Sequence, residues 1–152
     1  MDFLAPEELQ KLVGQEIGCS EWVEIDQERI NQFADVTEDH QFIHVDPEAA
    51  KSTMFGTTVA HGFLTLSMLV KLSAGIAIVL KDVKMGVNYG FDKVRFINPV
   101  KSGGRIRGRF TLMEASELTP GQWKLKYAVK VEIEGEEKPA IVAEWLTMQV
   151  VG

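Results

Sequence analysis

The stretch Phe63-Leu-Thr-Leu-Ser-Met-Leu-Val-Lys-Leu-Ser-Ala-Gly-Ile-Ala-Ile-Val-Leu80 holds one charge, Lys71, in an otherwise apolar run. Its length just permits a tilted membrane span. A lysine near the centre of such a span costs about 3 kcal/mol. Ser67, Ser73 and Gly75 dilute the run further, and the flanks lack aromatic anchors. A helix from about Gly62 to Val79, wrapped by other elements, accounts for the same hydropathy. The chain beyond this helix reads as sheet. Met85 to Phe96 is strand-like and closes at Asn98-Pro99. Ile106, Phe110 and Leu112 alternate with Arg105, Arg107 and Arg109. Trp123, Leu125, Tyr127, Val129, Val131 and Ile133 alternate strictly, which places one apolar face on a long strand. Gly135-Glu136-Glu137 turns the chain back. Ile141 to Val150 is apolar on both faces and reads as a more central strand. One long central helix wrapped by a curled antiparallel β-sheet is an α+β architecture. Such a sheet leaves an edge and an uncovered face, so a second copy of the chain is expected to cover both.

Upstream, the elements are helical. Pro6-Glu7-Glu8 puts a proline and two acids in a first turn, with Leu9, Leu12 and Val13 on one side. Cys19 to Ile25 reads as a first strand. Asp26 caps a helix with Ile30, Phe33 and Ala34 on its apolar face. Asp46-Pro47-Glu48 caps a second, short one over Ala49 and Ala50. Thr37 to Val45, between them, follows neither period and reads as a loop. No linker or repeat divides the chain, so residues 1–152 read as one domain.

Apolar residues make up 45 %, charged residues 25 %, and the net charge is −6. An acidic chain of this kind is a poor nucleic-acid binder, and no membrane partner is expected. Cys19 stands alone and excludes an intrachain disulfide. With no basic, apolar leader at Met1, this suits a cytoplasmic location.

All three histidines, His40, His44 and His61, lie close together in sequence with Asp35, Asp39 and Asp46. Imidazoles titrate near neutrality and carboxylates orient or share their protons, so this grouping suits acid/base work. Metal binding by His40 and His44 is disfavoured, because the stretch has no helical pattern and no His-Glu-x-x-His order. No Gly-x-Ser-x-Gly elbow, Gly-x-Gly-x-x-Gly fingerprint or P-loop lysine is present. From spacing alone, a second account stands level with catalysis: Asp39 and Asp46 cap turns and His44 is a core histidine.

Three matches in order extend this. Phe33-Ala-Asp-Val-Thr-Glu-Asp39-His-Gln-Phe-Ile-His44-Val-Asp-Pro47 resembles the hydratase-2 motif of the MaoC-like dehydratases. Ala60-His61-Gly62-Phe63-Leu64 resembles the opening of that family's central helix. Val87-Asn-Tyr-Gly-Phe-Asp-Lys-Val-Arg-Phe96 with Pro99-Val100 is similar to the branch containing nodulation protein N and single-domain (R)-specific enoyl-CoA hydratases. Gln41-Phe42 stands where the broader motif has Asn-Pro.

The resemblance implies a single MaoC-like domain of the hot-dog fold, a homodimer, and a hydro-lyase of fatty acid metabolism. The implied reaction converts trans-2-enoyl-CoA and water to (R)-3-hydroxyacyl-CoA, or runs as a 3-hydroxyacyl-thioester dehydratase. Asp39 and His44 are then the acid/base pair. The backbone N–H of Gly62 is the oxyanion donor, consistent with a helix start where N–H groups lack partners. No cofactor or metal is implied; coenzyme A or an acyl carrier arrives as part of the substrate. His61 either fixes the turn before Gly62 or meets substrate. Asn88 either supports the site by a hydrogen bond or is a strand residue. Ser67 and Phe63 face either the acyl tunnel or the core, as do Met54 and Phe55. Arg95 meets a phosphate or pairs with an acid; Arg105, Arg107 and Arg109 meet phosphates or form a solvated strand face. Alternative readings are a hot-dog acyl-CoA thioesterase, which normally needs a carboxylate on the central helix that this chain lacks, and a non-catalytic acyl-thioester-binding subunit.

Overall fold

The computed structural model describes residues 3–152. Among these residues six antiparallel strands form one sheet, in the order β1 (Glu16–Cys19), β4 (Gly104–Thr119), β5 (Gln122–Ile133), β6 (Ile141–Val151), β3 (Val83–Phe96), with β2 (Val23–Ile25) also on β4. The expected first strand is two: β1 (Glu16–Cys19) and β2 (Val23–Ile25). Between them Ser20 exchanges bonds with Gly108 of β4, its N–H donating to the carbonyl and its hydroxyl accepting from the amide. That side chain occupies ladder positions and splits the strand.

The sheet's inner face carries the alternation read from the sequence. β4 (Gly104–Thr119) places Ile106, Phe110 and Leu112 in the core, and β5 (Gln122–Ile133) adds Leu125, Tyr127, Val129 and Val131. β6 (Ile141–Val151) lies between β5 and β3 (Val83–Phe96), the central place its two apolar faces imply. The outer face is charged: Arg107 and Arg109 both donate to Glu132, and Arg109 also to Glu16. Arg105 pairs with Glu134. The arginine row is thus a solvated strand face with its charges already matched.

The central helix is shorter than expected. α5 (Gly62–Ser67) and α6 (Leu69–Ser73) join at Met68, and the helix ends at Ser73. Gly75, at φ 79°, supplies the left-handed turn beyond it. Residues 76–80 are apolar because they pack as a buried connection. Tyr127 Oη accepts from Ile78 N–H at 3.2 Å. The Gln149 amide donates to Ile78 O at 2.6 Å and accepts from Leu80 N–H at 2.9 Å. These side chains satisfy the backbone that a longer helix would have satisfied itself. Among the described residues, no helix is long and apolar enough to cross a membrane.

Upstream, a 3₁₀ turn (Pro6–Glu8) leads into α1 (Leu9–Leu12), which buries Leu9. α2 (Gln27–Thr37) starts where Asp26 Oδ1 accepts Arg29 N–H at 2.8 Å. α4 (Pro47–Ala50) starts the same way, Asp46 accepting from Ala49 at 3.1 Å. The expected loop from Thr37 to Val45 is not all loop: Phe42–Val45 forms a single turn, α3.

Candidate active site

α2 ends where Glu38 takes a left-handed conformation, φ 63°. Asp39 comes next, half exposed, its Oδ1 accepting from Gln41 N–H at 3.3 Å. His44 on α3 is buried, with Nδ1 2.6 Å from the Val59 carbonyl oxygen. A carbonyl only accepts, so Nδ1 carries the proton, and the neutral ring keeps its lone pair on Nε2. His61, also buried, places Nε2 3.0 Å from the Asp39 carbonyl and is a donor there by the same rule. Its Nδ1 is buried with no partner among the described residues.

The two imidazoles stack, centroids 3.9 Å apart and planes 24° from parallel, with Phe33 against His61 at 5.0 Å. One ligand atom each from Asp39, His44 and His61 lie within 4.8 Å of one another. His44 Nδ1 and His61 Nε2 are given to backbone carbonyls, so each ring keeps one nitrogen for the site. Two adjacent cationic rings would repel, so the trio suits one mobile proton held between a carboxylate and one imidazole.

Gly62 opens α5 and is exposed. No helical residue lies four positions before it, so its N–H has no intrahelical acceptor. It borders a cavity of about 250 Å³ with Phe55, Ala60, Thr65, Phe96 and Val100. A Cβ here would lie 2.8 Å from Phe96 Cδ1, so any side chain at this position would push the half-exposed ring of Phe96 aside. What this helix start offers is the N–H group itself.

The other sequence-named residues divide. Phe63 is exposed, its ring edge-on to Phe96 at 5.9 Å. Ser67 donates its hydroxyl back to Phe63 O at 2.7 Å. Asn88 is not with the histidines: its Oδ1 accepts from Trp145 Nε1 at 3.1 Å, on a second cavity with Val70, Ser73 and Gln149. Arg95 is exposed on β3 and makes no ion pair among the described residues. Met54 is almost fully exposed, whereas Phe55 faces the Gly62 cavity. His40 pairs with Asp35 at 3.0 Å in solvent. The sequence reading missed Gln27, Thr58 and the Val59 carbonyl. Only Gln27 had a signal, its place after the capping Asp26.

Fold and site define a hot-dog protein with a carboxylate and an imidazole beside the head of its central helix. The chain belongs to the family described as MaoC like domain, whose model matches residues 8–135. It is 50 % identical over 137 residues to nodulation protein N of Rhizobium leguminosarum bv. viciae, covering 90 % of this chain and 85 % of that one. It is 46 % identical over 143 residues to 3-hydroxyacyl-thioester dehydratase Z of Mycobacterium tuberculosis (strain ATCC 25618 / H37Rv), covering 94 % of each. The fold matches the solved (R)-hydratase from A. caviae with a TM-score of 0.73 at 21 % identity, over 89 % of this chain and 94 % of that one.

Proposed function

We propose that this chain adds water to a trans-2-enoyl thioester, giving the (R)-3-hydroxyacyl thioester, and catalyses the reverse dehydration. The observation that carries the reading is the 2.6 Å approach of His44 Nδ1 to Val59 O. It assigns the ring proton to Nδ1 and leaves Nε2 as a base in the group His44 forms with Asp39 and His61. A water held between them gives one proton to Nε2 while its oxygen bonds C3. The C2=C3 electrons move toward the thioester carbonyl, whose oxygen accepts from Gly62 N–H. The proton on Nε2 then passes to C2 from the same face. Water is consumed, nothing is left over, and no resident cofactor takes part. The 46 % identical relative named as a 3-hydroxyacyl-thioester dehydratase, matched over nearly its whole length, supports the same chemistry.

A second copy completes the enzyme in this reading. Among the described residues β3 is an edge strand paired with β6 alone, and it exposes Met85, Val87, Tyr89 and Phe91. Phe63 and Val70 of the central helix are exposed too. An unpaired apolar edge of that length is a template for strand addition, and a two-fold dimer covers it in both copies. The lone Cys19 suits action on acyl thioesters of the cytoplasm.

Purified protein mixed with crotonyl-CoA should lower the enoyl-thioester absorbance, and Asp39→Ala and His44→Ala should each abolish most of the rate. Full activity in both variants would end the assignment. Thiol release without hydration would make the protein a thioesterase instead.

A further inference from the structure

The Gln27 side chain reaches three parts of the chain at once. Its Nε2 donates to the His44 carbonyl at 2.7 Å and to Asn31 Oδ1 at 2.9 Å, and its Oε1 accepts from the Thr58 hydroxyl. Both amide protons are used, and the carbonyl of His44 accepts only, so the orientation of the amide is settled by its partners. Thr58 is 1 % exposed. The next residue is Val59, whose N–H donates to Ile43 O and whose carbonyl receives His44 Nδ1–H. Gln27 therefore holds the backbone of His44 and the segment carrying that residue's acceptor at a set separation. A carboxamide is suited to this: it donates to a backbone carbonyl and accepts from a hydroxyl across one planar group.

We propose that Gln27, acting with Thr58, is a positioning residue that holds His44 in its Nδ1–H tautomer, and so presents Nε2 as the base. The proposal rests on the hydratase reading for its kinetic consequence, not for its structural one. Without the clamp, α3 and the Thr58–His61 segment keep one direct backbone bond, Val59 N–H to Ile43 O. The short Nδ1–H bond to Val59 O then loosens, and the ring is free to place its proton on Nε2, where it no longer serves as a base. The clamp touches neither the substrate cavity nor Gly62, so substrate binding is largely spared.

Three variants test it. Gln27→Ala removes the clamp. Gln27→Glu keeps the length and the bond from Thr58 but cannot donate to His44 O. Thr58→Val keeps the shape and removes only the hydroxyl. Nitrogen-15 NMR of the imidazole ring reads the His44 tautomer in each, whether or not the protein turns over. The expected result is an Nδ1–H ring in the wild type and a mixed ring in both Gln27 variants. kcat with crotonyl-CoA should fall about 10- to 100-fold, as for misplacement near 1 Å, and KM should change little. Thr58→Val should shift the ring less and supplies the reading should Gln27→Ala fail to fold. Variants that melt earlier yet keep the Nδ1–H ring would overturn the proposal. A clamp that shifts the tautomer in a protein with no hydratase activity would leave the proposal standing and sink the hydratase reading alone.

Discussion

The inner face of the sheet and the loop-rich segment from Gln27 to Gly62 are built on opposite plans. The sheet face is redundant. Ile106, Phe110, Leu112, Leu125, Tyr127 and Val131 are each at most 1 % exposed, and each touches a contiguous core. Loss of one side chain leaves the neighbours and the ladder in place. The site segment is not redundant. Among the described residues, each ring makes one hydrogen bond, His44 to Val59 O and His61 to Asp39 O. The difference teaches that stability in this protein is spread over many apolar contacts, whereas the proposed chemistry hangs on single polar bonds with direction. Mutations should therefore separate the two: one region changes Tm, the other changes kcat.

The strongest break of that comparison lies at Asp39. Its carboxylate is half exposed; among the described residues it accepts from Gln41 N–H and lies 4.0 Å from His61 Nε2. Asp39→Asn should lower kcat by about 10² to 10⁴, the range for removing one acid/base group, with Tm almost unchanged. A variant that loses stability in step with activity would place Asp39 in the scaffold instead. Leu125→Ala is the mirror image. It empties a fully buried site between β4 and β6 and should cost about 2–5 kcal/mol in urea unfolding. The kcat of its folded fraction should hold. A large fall in kcat there would show that the sheet tunes the site directly.

Gln149 sharpens the comparison, because it is a polar bond within the apolar region. It satisfies Ile78 O and Leu80 N–H where the central helix has stopped early. Gln149→Leu leaves both groups buried without a partner and should cost about 1–3 kcal/mol. The lost protection should appear in amide exchange at Leu80, ahead of the rest of the sheet. Uniform loss across all strands would mean that the connection is not a separate weak point.

Most of the scaffold was legible because it repeats. Leu125, Tyr127, Val129 and Val131 announce a strand by period alone, and Asp26 and Asp46 announce helix starts by chemistry. The end of the central helix was not legible. Ile76, Ala77 and Ile78 are as apolar as a buried helix would be, and only Gln149 and Tyr127, far off in sequence, show that they are a tethered connection. α3 escaped for the opposite reason: four residues are too few to display a 3.6-residue period. Asp39, His44 and His61 were visible as titratable groups close in sequence, and the structure does bring them together. What spacing could not supply was direction. The proton on His44 Nδ1 depends on a carbonyl at Val59, and carbonyls are the same in every residue. Asn88 shows the same limit from the other side: residue type left a site role and a strand role open, and the structure has its amide oxygen accepting from Trp145 Nε1.

The smallest expected effect is on the outer face, where Glu132 sits between Arg107 and Arg109. The hydrogen bond from Arg109, then that from Arg107, holds the Glu132 carboxyl below the ordinary glutamate range against the opposing effect of partial burial. A depressed carboxyl stabilises the fold at pH values above its unfolded value, and that contribution is lost as pH falls through the folded one. All three side chains are partly exposed, so solvent screens the network. Glu132→Gln should therefore cost only about 0.5–1 kcal/mol at pH 7. The gap from the wild type should close as pH falls through that lowered value, where both chains carry a neutral group at this position. Urea melts at pH 7 and at the lowest pH where both chains still fold measure it. An equal deficit at both would show that Glu132 stabilises by packing rather than by charge, and the outer face would then share the plan of the inner one.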